Sequence, residues 1–230
     1  MRWLPLAFVC VAGFPTVAFA QAKDQLWGGL AVDWLESKRL TYEVRIEPKT
    51  NPSTLDVTPE VTYTVLAWAD LLAEVELERK ADTDPTATSR VGVELHILSR
   101  LLFAHPQSGA EREKPPRRRI VVSTLLRFED SQGDWTLRDR FNVTYPLNRP
   151  KTTSDGAIYL TGDAEWFVPF DRAPGSDLVN EVRIRSGIGY RKDFAWRFEV
   201  LYIWDGTRHA DQGPLTPKFH ALDIRVLRQF

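Results

Sequence analysis

The chain has 230 residues, with Lys+Arg 30 against Asp+Glu 31 and a formal net charge of −1. A hydrophobic content of 43% excludes global disorder, and the balanced charge argues against a nucleic-acid binder, which needs many cationic contacts to phosphate. The single Cys cannot close an internal disulfide or build a Cys-based zinc site, and no motif calls for a metal or other cofactor.

The first twenty residues read as an export signal. Met1 and Arg2 give a positive start, Trp3 to Phe14 form an apolar run, and Ala18-Phe19-Ala20 places small residues where a signal peptidase cuts, before Gln21. The run is too short for a membrane-spanning helix, and Pro5 and Pro15 weaken it further. Cleavage leaves a mature domain of residues 21–230 without Cys10, so the mature chain is free of cysteine. No later stretch approaches the apolar length of a transmembrane helix.

From there the apolar pattern has period two, the sign of strands with one greasy face. A first strand is expected over Leu26–Trp34. Leu40, Tyr42, Val44 and Ile46 then alternate with Thr41, Glu43, Arg45 and Glu47. Val61, Tyr63 and Val65 alternate with Thr62 and Thr64, and Leu71, Ala73, Val75 and Leu77 alternate with Glu74, Glu76 and Glu78. Val91, Val93, Leu95 and Ile97 follow, with Glu94 and His96 between them. Ile120–Phe128, Trp135–Tyr145 and Ile158–Val168 are the next candidates. Val182, Ile184, Ile188 and Tyr190 alternate with Arg183, Arg185 and two glycines. Trp196, Phe198, Val200, Tyr202 and Trp204 enclose Arg197 and Glu199, and Phe219–Phe230 closes the chain.

That is about eleven strands. An antiparallel barrel whose two chain ends share one side needs an even number, so ten or twelve are expected. Asp139 falls on the apolar face of its strand, which suggests a bulge or a wrong phase. Tight turns at 36–38, 68–70 and 191–193 alternate with longer polar loops at 48–59, 80–89, 171–179 and 205–218. Short periplasmic turns and longer extracellular loops are the habit of outer-membrane barrels. Residues 104–117 are long where a short turn is due, and 131–134 are short where a long loop is due.

The fold expected is therefore all-β, a single antiparallel transmembrane β-barrel of 10–12 strands. A soluble barrel would turn its apolar face inward and a membrane barrel turns it outward. Aromatics toward strand ends and a heavily charged opposite face favour the membrane version. The amphipathic last strand ends at Phe230, which resembles the signal read by the outer-membrane assembly machinery. That machinery and outer-membrane lipid are the partners expected.

Three phrases carry a family resemblance: residues 144–149 (TYPLNR), 165–170 (EWFVPF) and 183–190 (RIRSGIGY). The aromatic strand 194–204 belongs with them. Together they resemble the family catalogued as domain of unknown function 2490. The resemblance implies a Gram-negative outer-membrane β-barrel with no assigned activity. The Pro- and charge-rich stretch 106–119 departs from it.

The charged faces supply the candidate site. Glu74, Glu76, Glu78, Glu94 and His96 form an acidic-leaning wall, and Arg183, Arg185, Arg197 and Glu199 a basic-leaning one. Both are expected to face the lumen. Such walls either set opposed fields that orient a polar solute or interlock as ion pairs that fill a narrow bore. His96 beside Glu94, with Ser99 or Ser123, would suit a hydrolase, but neither Ser lies in a nucleophile motif and no catalytic residue is expected. Arg117–Arg119 reads as a solvated turn or a lipid-phosphate contact, and the turn residues Asp130, Asp134 and Asp205 lack the spacing of a calcium loop. The function expected is a narrow channel or solute-passage protein with a charged lumen. The alternatives are a barrel that binds a surface partner through its long loops, a lipid-modifying barrel enzyme, and a soluble periplasmic β-protein.

Overall fold

The computed structural model describes residues 23–37, 39–50, 53–80, 83–96, 120–171, 178–208 and 214–230. The expected signal segment 1–20, with Cys10, and Ser99 and the 106–119 stretch lie outside them. Eleven strands follow in chain order: β1 (Lys23–Leu35), β2 (Leu40–Lys49), β3 (Thr54–Leu66), β4 (Ala69–Lys80), β5 (Thr86–Leu95), β6 (Val121–Ser131), β7 (Asp134–Pro146), β8 (Ala157–Pro169), β9 (Glu181–Arg191), β10 (Trp196–Thr207) and β11 (Thr216–Gln229). Each pairs with its neighbours in sequence, and β1 meets β11 to close a barrel.

Closure corrects the expectation of an even strand number. Every other pair is antiparallel, but β1 runs parallel to β11, from Lys23↔Phe219 to Asp33↔Gln229. A parallel seam is what lets an odd number of strands close. It also puts the two ends of the barrel wall on opposite sides: β1 starts at one end, hereafter the N-terminal end, and β11 finishes at the other, the C-terminal end. The connections 36–39, 67–68, 147–156 and 192–195 join strands at the C-terminal end, where β5 also ends and β6 begins. Tight turns gather on that side and 131–134 is short on the other, but the ten residues 147–156 between β7 and β8 are a further departure from the expected pattern.

The strands reach further into the polar segments than their composition suggests. Pro48 and Pro59 lie inside β2 and β3, where Pro48 faces Leu55 and Pro59 faces Val44. Proline has no N–H to donate, and the β3–β4 ladder skips Pro59, running from Val57↔Leu77 to Glu60↔Glu74. The β6–β7 hairpin is a two-residue turn. Gln132 and Gly133 both take positive φ (57° and 97°), the conformation that matches the twist of a tight hairpin, and Asp130 Oδ1 accepts from Gly133 N at 2.8 Å.

The apolar face points outward. Leu30, Tyr42, Val75, Phe128, Ile188, Val200 and Ile224 are all exposed, while Glu74, Arg90, Arg127, Arg138, Glu165, Arg185 and Asp223 are buried. That is the inverse of a soluble core. Aromatic pairs gather toward both ends of the outer face. Trp34 stacks on Phe230 at 6.5 Å and Trp196 on Phe198 at 6.2 Å near the C-terminal end, and Phe128 stacks on Phe170 at 6.4 Å near the other. Arg228, which interrupts the apolar face of β11, lies over the rings of Trp196 (4.5 Å) and Phe230 (4.9 Å). The cation is thereby accommodated among aromatics.

Asp139 is neither bulged nor out of phase. Its strand is in unbroken register with both neighbours, Asp139 facing Leu126 on one side and Trp166 on the other. The carboxylate does point outward, and Thr124 on β6 donates to it at 2.8 Å. One patch of the inner wall is apolar instead of charged. Trp27, Ile203, Phe219 and Ala221 cluster inside the barrel on β1, β10 and β11. β10 is apolar on both faces over Val200–Trp204, so alternation alone could not reveal its buried side.

Candidate functional site

The inward side chains of β4 to β9 form one continuous ion-pair belt. It starts at Glu74 on β4, which is buried and accepts from Arg90 (3.1 Å) and Arg127 (2.8 Å). Arg90 on β5 also binds Glu76 (2.8 Å) and Glu129 (2.5 Å), and Glu129 receives Arg138 from β7. Glu165 on β8 has no exposed surface. Its Oε1 accepts from Arg127 Nη2 (2.6 Å) and Arg138 Nη2 (3.0 Å), and its Oε2 from Arg185 Nη2 (3.0 Å). Arg185 Nε then donates to Asp163 at 2.8 Å. Removing any one partner would leave buried charge uncompensated, which costs far more than an exposed pair is worth.

On the other side of the bore Arg225 on β11 pairs with Asp223 (2.6 Å) and with Glu47 on β2 (3.8 Å). Toward the N-terminal end the belt opens into a polar cavity of about 470 Å³, lined by ten Lys/Arg and six Glu among other side chains. Arg183 sits there in an aromatic setting, its guanidinium 5.3 Å from the Phe167 ring and 5.9 Å from those of Trp27 and Phe219. Asp205, also without exposed surface, accepts from Arg183 Nε at 2.7 Å.

The residues singled out from sequence are distributed as follows. Glu74, Glu76 and Arg185 lie in the belt. Glu78 pairs with Lys80 at 3.3 Å and lines the same cavity as Arg183. Arg197 pairs with Glu199 at 3.4 Å, and Glu199 accepts from Tyr159 at 2.7 Å. Glu94 and His96 stand apart at the C-terminal end with Asp70. His96 Nε2 is 2.9 Å from Asp70 Oδ2 and its Nδ1 is 3.9 Å from Glu94 Oε1. These three offer ligand atoms within 4.8 Å of one another and are the one such group among the described residues. The imidazole is already engaged by carboxylates on both sides. Ser123 is buried on β6.

The two walls are therefore interleaved, not segregated: Arg90 and Arg127 enter the acidic side, and Asp163 and Glu165 the basic side. Sequence reasoning missed Arg90, Arg127, Glu129, Arg138, Arg140, Asp163 and Glu165. Their signal was present, since Arg127 and Glu129 flank outward Phe128 and Arg138 and Arg140 flank Asp139. The doubt over Asp139 hid the phase of β7, and with it the two arginines.

A closed barrel, greasy outside and ion-paired within, is the class of protein that this geometry defines. A model of a family described as protein of unknown function (DUF2490) matches residues 24–212, and the chain belongs to that family. No curated protein matches it.

Proposed function

We propose that this protein is an outer-membrane β-barrel whose bore is held shut at rest by its ion-pair belt, and that what passes or enters is small, polar and controlled by charge. The observation that carries the proposal is Glu165. It is fully buried and is bonded at once by Arg127, Arg138 and Arg185 from three other strands, at the place where an open channel would hold water. The membrane setting is supported by the exposed apolar belt with aromatics at both ends, which would be an aggregation surface in water. Export by the segment 1–20 and assembly through the strand ending at Phe230 complete the proposal.

Planar-bilayer recording tests it. The wild-type barrel should show rare, small steps or none, and Glu165→Ala should raise conductance by loosening the arginines. A large, steady wild-type current would overturn the closed bore. Fractionation with the inner membrane or the soluble periplasm would overturn the location.

A further inference from the structure

Arg140 is the cation that the belt leaves over. In the β7–β8 register it stands opposite Glu165, the natural partner for its guanidinium. Both Glu165 oxygens are taken by Arg127, Arg138 and Arg185, and Asp163 is taken by Arg185 Nε. Among the described residues Arg140 makes no hydrogen bond and no ion pair within 4 Å; Arg127 and Arg185 add like charge around it, and Glu165 and Asp163 offset part of that charge from beyond pairing distance. Its side chain lines the polar cavity, where Lys/Arg outnumber Glu ten to six. A guanidinium presents five donors in a planar fork that suits two oxygens of one oxyanion. Held in a part-enclosed space beside two more arginines, that fork is short of an acceptor that protein does not supply.

We propose that this cavity is an oxyanion-binding site centred on Arg140, with Arg127 and Arg185 setting the field, and that its ligand is a phosphate group, free or esterified. The inference goes beyond the closed bore and does not depend on what surrounds the barrel. The phosphate takes the fork of Arg140 and relieves the repulsion from Arg127 and Arg185. The belt stays intact, because each of its own ion pairs is kept. The cavity volume of about 470 Å³ admits a small phosphomonoester as well as the free ion.

Calorimetric titration of the barrel in detergent micelles, at fixed ionic strength set with chloride, tests the site. Inorganic phosphate and glycerol 3-phosphate are the two probes. Saturable binding of either at one per chain is expected; tighter binding of the ester assigns an esterified ligand, and tighter binding of phosphate a free one. Arg140→Gln should weaken binding by at least about tenfold, since it removes the charged fork. Arg79→Gln, on the outer face of β4, should leave it unchanged. Absence of saturable binding to the wild type overturns the proposal without any variant, as does equal binding by Arg140→Gln. Should Arg140→Gln fail to fold, as judged by gel mobility with and without heating, Arg140→Lys is titrated instead. It keeps the charge and loses the fork, and binding undiminished from wild type overturns the bidentate assignment.

Discussion

Arg127 donates to Glu74 at 2.8 Å although β5 stands between their two strands. The crossing is made at Gly92, where a Cβ would lie 2.7 Å from Arg127 Cγ and equally close to the carbonyl oxygen of Leu126. The same device recurs at other inward glycines. Arg225 passes over Gly29 toward Glu47 (3.8 Å), and Tyr159 lies across Gly189 to reach Glu199 (2.7 Å). A missing side chain on one strand thus lets its neighbours join over it, knitting the interior beyond nearest-neighbour pairing. Gly92→Ala should cost about 1–3 kcal/mol, the usual price of overpacking, because backbone as well as side chain must move. The urea midpoint of the refolded barrel measures it; a midpoint equal to wild type would show that Arg127 crosses elsewhere.

Glu165 is the belt's central acceptor, so its loss is felt by three arginines together. Glu165→Ala should destabilise the barrel by about 3–5 kcal/mol, as when one partner of a buried ion pair is removed. Glu78→Ala should cost under about 1 kcal/mol, because its pair with Lys80 is partly solvated. Comparing the two variants by urea unfolding checks the ranking, which a loosely hydrated lumen would level.

Asp139 sets a carboxylate on the outer apolar face with one donor, Thr124. In lipid that arrangement is a cost the strand tolerates. The double variant Asp139→Leu/Thr124→Val should therefore be more stable than wild type by about 1–2 kcal/mol in vesicles. Thr124→Val alone should be less stable, since it strands the carboxylate. Unfolding of both proteins in vesicles decides the matter, and a double variant weaker than wild type would mean that Asp139 meets water or protein there.

Much of this architecture was legible because burial on one face writes itself as period two. All eleven segments appear as strands, and the outward set on β2, for instance, is the set that alternation marks out: Leu40, Tyr42, Val44 and Ile46. What alternation cannot carry is pairing across the bore. Glu74 reads as one of three acids on a strand, and nothing local shows that its partners sit on β5 and β6. Nor does any residue announce that β1 and β11 run parallel. The apolar inner patch at Trp27 and Ile203 was hidden for a different reason, since a strand apolar on both faces has no period to read.

The parallel seam is the feature with the widest consequence, and it can be tested by cross-linking. Leu30 stands opposite Val226, both on the outer face. Neighbouring strands lie about 4.8 Å apart, within the reach of a disulfide. In a Cys10-free background, Leu30→Cys/Val226→Cys should therefore form an intramolecular disulfide on mild oxidation. It should appear as a mobility shift in unheated, non-reducing gels. Leu30→Cys/Leu222→Cys should not, because four residues of slip along β11 separate the sulfurs by about 13 Å. An antiparallel seam would give a different set of reactive pairs, since its partners shift in opposite directions along the two strands. Scanning positions 26, 28, 30 and 32 against 222, 224, 226 and 228 separates the two registers: bonds only along the in-step diagonal establish parallel closure. Bonds along the reverse diagonal would restore an even-numbered wall, with a further strand to be found and both ends of the wall on one side of the barrel.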